Sequence, residues 1–405
     1  MKITPVIQGV IARSAHPLGC QQAVRQHIAT VRQHMDPVDP VSETPPLRVL
    51  VLGASSGFGL ASRIALTFGE QRADTIGVSF ERGPSDKGVG TAGWSNNIYF
   101  RQEAEQAGRV AKNIVGDAFS PAVREQVVQA IRDDLGGQVD LVVYSLATGV
   151  RPDPQTGEMW RSVIKTTDEA FSGPTLNLET DTLETMTVEA ATDEEIIATE
   201  KVMGGEDWAE WIATLHDAGV LATGCRTVAY SYIGPAITYP LYHHGTLGRA
   251  KQHLHVTADA LNHQLQALGG QAHVAVCKAL VTKASAFIPA FSPYMLALFK
   301  VMKAQGTHEG CIEQMQRLFG ERFFPAQGEV EVDAQRLIRM DDWELAAETQ
   351  QQVVALMAQI TPENFTALGD YTGYKTDFLQ LNGFAHEGID YDADVSMAEL
   401  LRLTP

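Results

Sequence analysis

Apolar residues in this chain follow two alternating patterns. In the first, short apolar runs occupy residues 48–52, 75–80, 110–115, 140–145, 227–233 and 272–277. Runs of this length, rich in Val, Ile and Leu, read as strands buried on both faces, as in a parallel sheet. In the second, apolar positions return at helical spacing. Leu60, Ile64 and Phe68 form one such set, and Val123, Val127, Ile131 and Leu135 follow the Ser120-Pro121 start signal. Trp208, Trp211, Ile212 and Leu215 form a third; Leu247, Ala250, Leu254, Ala258, Leu261, Leu265 and Leu268, after Gly245, form a fourth. Strands alternating with helices predict an α/β fold: a Rossmann-type doubly wound parallel sheet.

Four stretches fall outside this alternation. Residues 1–46 hold a short β-like run (6–12), a helix (21–34) and a proline-rich connector ending at Pro45-Pro46, together an N-terminal elaboration. Residues 83–97 are rich in Gly, Ser and Asn and read as a loop. Residues 151–203 begin with a turn-forming segment and continue with β-prone, acidic pieces, an inserted β-rich segment with a hairpin. Residues 285–405 read as a mainly helical C-terminal extension, with Met295, Leu298, Phe299 and Met302 on one helix and residues 345–360 on another.

Composition bounds what such a fold can serve. With 405 residues, 44% hydrophobic and 20% charged, the chain can bury a large core. A formal charge of −18, from 31 basic and 49 acidic residues, argues against bulk attraction to nucleic acid or an anionic membrane. Cys20, Cys225, Cys277 and Cys311 lie far apart and read as reduced thiols. The first residues lack the apolar run of a signal peptide, and no stretch reaches the roughly 20 apolar residues that span a bilayer. A cytoplasmic protein is expected. Asp390-Tyr-Asp-Ala-Asp394 lacks the glycine and final glutamate of a calcium loop, and His308-Glu309 and His253/His255 lack zinc-site partners, so no metal is expected.

Candidate chemistry begins where the first strand ends. Gly53-Ala54-Ser55-Ser56-Gly57-Phe58-Gly59 joins it to the first core helix, a strand–glycine turn–helix unit. In such a turn the backbone can approach a pyrophosphate, and the helix N-terminus stabilises its charge. The second strand ends in Phe80-Glu81; an acidic residue there accepts hydrogen bonds from the adenosine ribose and repels a 2′-phosphate, favouring NADH over NADPH. Asp117, after the third strand, is placed to reach an adenine amino group, and the small residues at 146–149 let a nicotinamide ribose lie against the backbone. Residues 47–284 are then a dinucleotide-binding core, and 1–405 one large α/β domain. Downstream, Tyr232, Tyr242 and Lys251 cluster at the entrance to a helix, with Lys251 on the inward face between Leu247 and Leu254. An ammonium beside a phenol lowers its pKa, and such a pair donates a proton to an oxygen gaining charge. An inward lysine needs a partner, with ribose hydroxyls and a phenol as candidates.

Over nearly its whole length the chain resembles the NADH-dependent trans-2-enoyl thioester reductases, the trans-2-enoyl-CoA reductase and FabV-type enoyl-ACP reductase family, enlarged relatives of the short-chain dehydrogenases. The resemblance rests on Gly53-Ala-Ser-Ser-Gly-Phe-Gly-Leu, Phe80-Glu-Arg, Gly90-Thr-Ala-Gly-Trp, Gly116-Asp-Ala-Phe-Ser, Tyr144-Ser-Leu-Ala, Met203-Gly-Gly-Glu-Asp-Trp, Gly306-Thr-His-Glu-Gly-Cys and Gly373-Tyr-Lys-Thr-Asp-Phe-Leu. Its most specific mark is Tyr242-x8-Lys251, where ordinary short-chain dehydrogenases have Tyr-x3-Lys and other enoyl reductases Tyr-x6-Lys. Thr148-Gly149 departs from the small residue and proline expected there, and Phe58 stands where Tyr is common.

The resemblance implies NAD contacts at Gly53, Ala54, Ser55, Ser56, Gly57, Phe58, Phe80, Glu81, Asp117, Ala118, Leu146, Ala147, Lys251, Leu280, Val281 and Thr282. It implies Tyr242 as proton donor, helped by Lys251, and Tyr232 as a substrate contact. The implied reaction is hydride transfer from NADH to the β-carbon of an enoyl thioester carried on acyl carrier protein or CoA, the last reductive step of fatty acid elongation. Phe287, Ile288, Phe291, Met295 and Phe299 are candidates for the wall of an acyl channel. A carbonyl reductase or alcohol dehydrogenase, and a non-catalytic NADH sensor, are the alternatives. A monomer is expected, with a homodimer as the alternative.

Overall fold

The computed structural model describes residues 1–33 and 45–405. A hairpin of β1 (Ile7–Gln8) and β2 (Ile11–Ala12) and helix α1 (Pro17–Gln33) precede the core. The run at 6–12 is thus two antiparallel strands around a turn rather than one. Most of the proline-rich connector lies outside the described residues.

The core follows as β3 (Arg48–Leu52), α2 (Gly57–Phe68), β4 (Asp74–Ser79), α3 (Ala92–Gln106), β5 (Ala111–Val115), α4 (Pro121–Asp134) and β6 (Val139–Tyr144). The insertion contains two antiparallel hairpins, β7 (Val150–Pro152) with β8 (Met159–Arg161) and β9 (Phe171–Asn177) with β10 (Thr182–Val188), and then helix α5 (Asp193–Met203). Helix α6 (Glu206–Asp217), β11 (Leu221–Ser231), α7 (Thr246–Leu265) and β12 (Gln271–Val276) resume the alternation. The C-terminal third supplies α8 (Ser292–Gln305), α9 (Cys311–Arg317), β13 (Leu337–Arg339), α10 (Ala347–Met357), α11 (Phe365–Leu368), α12 (Tyr371–Gln380) and α13 (Met397–Leu400).

Seven of these strands form one parallel sheet in the order β13-β12-β11-β6-β3-β4-β5. Strand β3 shows why its residues form an unbroken apolar run. Val49 and Val51 pack under α1, α2, α3 and α9, while Leu50 and Leu52 pack under α4, α6 and α7, and all four are fully buried. Alternate side chains of a strand point to opposite faces, so a strand covered on both sides is apolar throughout. The order reverses between β3 and β6, which makes their C-terminal ends a topological switch point, where ligands bind in open α/β sheets.

One expectation is corrected: residues 83–97 are not all loop, because α3 begins at Ala92. The mainly helical C-terminal extension also supplies β13, which completes the sheet beside β12. A third apolar cluster joins α8, α10 and α12 to Leu176 and Leu183 of the second hairpin and to Tyr242. The insertion and the C-terminal helices therefore meet over the C-terminal edge of the sheet.

Candidate active site

At the switch point the chain turns sharply between β3 and α2. Gly53 has φ +85° and Gly57 φ +54°, backbone conformations that L side chains rarely adopt. A Cβ on Gly53 would fall 2.3 Å from the Ser145 carbonyl oxygen at the end of β6, and one on Gly59 would fall 1.9 Å from the Gly53 oxygen. The glycines thus let turn, helix and neighbouring strand close on one another. Ser56 precedes α2 without a side-chain cap, so the start of this helix faces an open cleft of about 580 Å³.

Of the expected cofactor contacts, Gly53, Ser55, Ser56, Gly57, Phe58, Phe80, Glu81, Asp117, Ala118, Leu146, Ala147 and Thr282 line this cleft. Phe80 is 80% exposed and offers an open aromatic face, an unusual setting for a residue following a buried strand. Ala54 and Val281 are not brought to it. Ala54 is fully buried and its N–H donates to the Val78 carbonyl, while Val281 packs in the apolar cluster around Tyr242. Ser145, Gly116, Phe119 and Lys283 line the cleft without having been named as cofactor contacts, and Thr148 lines it as the reading of 146–149 expects. Gly116 and Phe119 sat inside a recognised motif; Lys283 gave no signal of its own.

Glu81 is held more closely than its position after a strand suggests. Its carboxylate accepts from Ser55 Oγ at 2.5 Å and from the Thr91 hydroxyl. It fills the space at the start of α3, where a Cβ on Gly93 would fall 1.9 Å from Glu81 Oε1. One acidic side chain thereby ties the glycine turn to α3, where a helix N-terminus favours negative charge. Each oxygen keeps a lone pair for a ribose hydroxyl.

A second, smaller cavity of about 190 Å³ opens beside the cleft and shares Phe58, Ser145, Leu146, Ala147, Thr282 and Ala284 with it. Tyr232, Tyr242, Lys251 and Leu280 all face this cavity, not the larger cleft. The rings of Tyr232 and Tyr242 meet edge to face with centroids 4.8 Å apart. Tyr242 sits in the turn before α7, its carbonyl accepting from the N–H groups of Gly245 and Gly248, and it is 6% exposed. Among the described residues its hydroxyl has no hydrogen-bond partner, which leaves the phenol directed at the cavity.

The electrostatics differ from the sequence expectation. Burial pushes the Tyr242 phenol well above its usual pKa, and Lys251 is not among the groups that act on it. Lys251 does not pair with the phenol: its Nζ donates to the Tyr230 carbonyl oxygen at 2.9 Å, and burial lowers its pKa to about 8. The expected acidification of Tyr242 is therefore absent, because desolvation of a phenolate outweighs an ammonium that is not in contact. Tyr232 is also held protonated, first by burial and then by Glu344, to whose Oε1 its hydroxyl donates at 2.9 Å.

Of the expected acyl wall, Ile288 and Phe291 line the cavity. Met295 and Phe299 are fully buried in the core of α8, and Phe287 is 48% exposed on the other side of its loop. The periodicity identified the helix face but not which end of it opens to the cavity.

An open turn that admits a pyrophosphate, next to a pocket of protonated phenols and a lysine, defines a nicotinamide-dependent oxidoreductase on a doubly wound sheet. Comparison with known proteins takes this further. Residues 88–324 match the trans-2-enoyl-CoA reductase catalytic region, residues 2–86 the NAD(P)H binding domain of trans-2-enoyl-CoA reductase, and residues 332–395 a segment described as an enoyl reductase FAD binding domain. The chain is 66% identical over 403 residues to enoyl-[acyl-carrier-protein] reductase [NADH] 2 of Photobacterium profundum, with 100% of both chains covered. It is 48% identical over 396 residues to trans-2-enoyl-CoA reductase [NADH] of Clostridium beijerinckii, with 98% of both covered. The crystal structure of Clostridium acetobutulicum trans-2-enoyl-CoA reductase in complex with NADH superposes with a TM-score of 0.94 at 44% identity, covering 100% of both chains. The chain belongs to the trans-2-enoyl-CoA reductase family. Its cleft is lined by residues of both of the first two matched segments.

Proposed function

We propose that this chain catalyses the NADH-dependent reduction of trans-2-enoyl thioesters to saturated acyl thioesters. The observation that carries this reading is the shared wall between the two cavities: Leu146, Ala147 and Thr282 face both, so an acyl chain in the small pocket lies against a nicotinamide in the large one. NADH supplies a hydride to the β-carbon when bound. The residues of this chain manage the charge that the hydride sends to the thioester oxygen. The Tyr242 hydroxyl, protonated at neutral pH and free of other partners, donates to that oxygen and is the proton donor. Lys251, on the small pocket's side of the shared wall, contributes positive charge and reaches across that wall to the nicotinamide ribose, and Tyr232 contacts the same oxygen. Ile288 and Phe291 line the acyl channel. Glu81 and Asp117 hold the adenosine, with Glu81 selecting NADH.

Acyl carrier protein is the preferred carrier, since the Photobacterium profundum relative, identical at 66% of positions, is named for it, and enoyl-CoA is the alternative substrate. No described helix is long and apolar enough to cross a membrane. The test is NADH oxidation with matched crotonyl-carrier-protein, crotonyl-CoA and a simple ketone. Turnover of the enoyl thioesters is expected, and Tyr242→Phe should lower kcat about 100-fold or more. Turnover of the ketone alone would overturn the reading.

A further inference from the structure

Behind Tyr232 lies a buried carboxyl to which the proposed reaction gives no role. Glu344, after β13, is fully buried. Its Oε1 accepts from Tyr232 Oη at 2.9 Å and from Tyr294 Oη of α8 at 2.6 Å, and its Oε2 accepts from the Ala279 N–H at 2.7 Å. Gln350 of α10 donates to Tyr294 Oη at 3.1 Å and to the Glu344 carbonyl at 2.7 Å, closing the network. The other charge facing it is Lys278, 2% exposed, whose Nζ donates to the Ala279 carbonyl at 3.0 Å. Glu309 and Asp377 act on Lys278 from beyond.

This arrangement poses a problem for the substrate contact. A phenol has one hydrogen. While Tyr232 donates it to Glu344, only oxygen lone pairs face the pocket, and these repel a thioester oxygen gaining negative charge. If the hydrogen turns to the substrate, two oxygens 2.9 Å apart, Tyr232 Oη and Glu344 Oε1, face each other with no hydrogen between them unless the carboxyl carries one.

We propose that Glu344 is a positioning residue that sets the direction of the Tyr232 hydroxyl: as a carboxylate it draws the hydrogen away from the pocket, and as a carboxylic acid it donates to Tyr232 Oη and turns that hydroxyl toward the substrate oxygen. The inference rests on the enoyl-reductase reading above. The chemistry balances: a hydride from NADH forms a C–H bond at the β-carbon, the π electrons move to the thioester oxygen, and as they return to re-form the C=O the α-carbon takes a proton supplied by way of Tyr242 and replaced from water. Glu344 is neither oxidised nor reduced, and its proton stays within the hydrogen bond to Tyr232. Burial raises the carboxyl pKa, as the proposal requires, with Lys278 opposing.

The test is the pH profile of kcat/KM in Glu344→Gln. The Ala279 N–H fixes the amide oxygen at the Oε2 position, so the amide nitrogen takes the Oε1 position and donates to Tyr232 at every pH. The parent enzyme should lose activity as rising pH deprotonates Glu344. In Glu344→Gln that falling step should vanish, so that kcat/KM measured above the parent's step, relative to that below it, rises at least fivefold over the parent's ratio, while the step from Lys251 remains. In a Tyr232→Phe background the same substitution should leave the profile unmoved. Superimposable profiles of parent and Glu344→Gln would overturn the proposal. If Glu344→Gln fails to bind NADH in a fluorescence titration, Tyr294→Phe decides: losing one donor to Oε1 should move the step to higher pH, and an unmoved step overturns the proposal. A parent enzyme inactive on every enoyl thioester would instead defeat the functional reading itself.

Discussion

Lys251 enters the pocket from the second turn of α7, and its ammonium rests on the Tyr230 carbonyl while its charge is easily lost. Its ordinary pKa of 10.5 falls to about 8 because the ion has left water for a largely apolar pocket. Activity that needs the ammonium is full below that value and falls as pH rises through about 8. Stability moves the other way. Between about 8 and 10.5 the unfolded chain binds a proton that the native state has released, so native stability rises with pH there. Lys251→Arg keeps its charge across this range; its residual kcat/KM should show no step near pH 8, which steady-state rates from pH 6 to 10 would check. The sequence placed this lysine on the inward face through its spacing from Leu247 and Leu254. It could not show the carbonyl that receives it, because Tyr230 comes from a neighbouring strand.

Helix α3 shows how an element escapes a reading by hydrophobic pattern. Its buried face includes Ser95, Asn96 and Asn97. Asn96 donates to the Ser55 carbonyl at 2.9 Å and Asn97 to Ser79 Oγ at 2.8 Å, so the face toward the glycine turn is held by amide hydrogen bonds as well as by apolar contacts. Buried amides are satisfied by partners distant in sequence, and no periodicity announces them. The same helix depends on Gly93 for the seat of the Glu81 carboxylate. Gly93→Ala should displace that carboxylate and loosen the turn around Ser55. The expected outcome is a rise of about tenfold in KM for NADH, about 1.4 kcal/mol of binding, with a smaller change in kcat, checked by NADH titration at saturating enoyl substrate.

At the scale of the whole molecule, the cleft is assembled from segments around residues 53–58, 79–81, 116–119, 145–152 and 282–284. Unfolding disperses them, so the cofactor binds the native chain alone. NADH at 100 times its Kd should therefore raise unfolding stability by about 2.7 kcal/mol, visible as a concentration-dependent rise in Tm. A variant that melts normally but shows no such rise would have lost the cleft and not the fold.

What the sequence determined by itself is local. The six strands, the glycine turn and the helical face of α7 were legible, because each is a pattern within a few residues: apolar runs, a special backbone conformation, a 3.6-residue period. The motifs and the Tyr242-x8-Lys251 spacing were enough to indicate the family. Tertiary structure alone decided what meets across the chain. It brought β13 to the sheet edge, where a three-residue strand carries too little pattern to be read, and it buried Glu344 behind Tyr232, 112 positions away. It also reversed the expected effect on Tyr242. An ammonium nine positions on suggested an acidified phenol, but burial raised its pKa, because the cost of desolvating a charge depends on what surrounds it in space and leaves no trace in the order of residues.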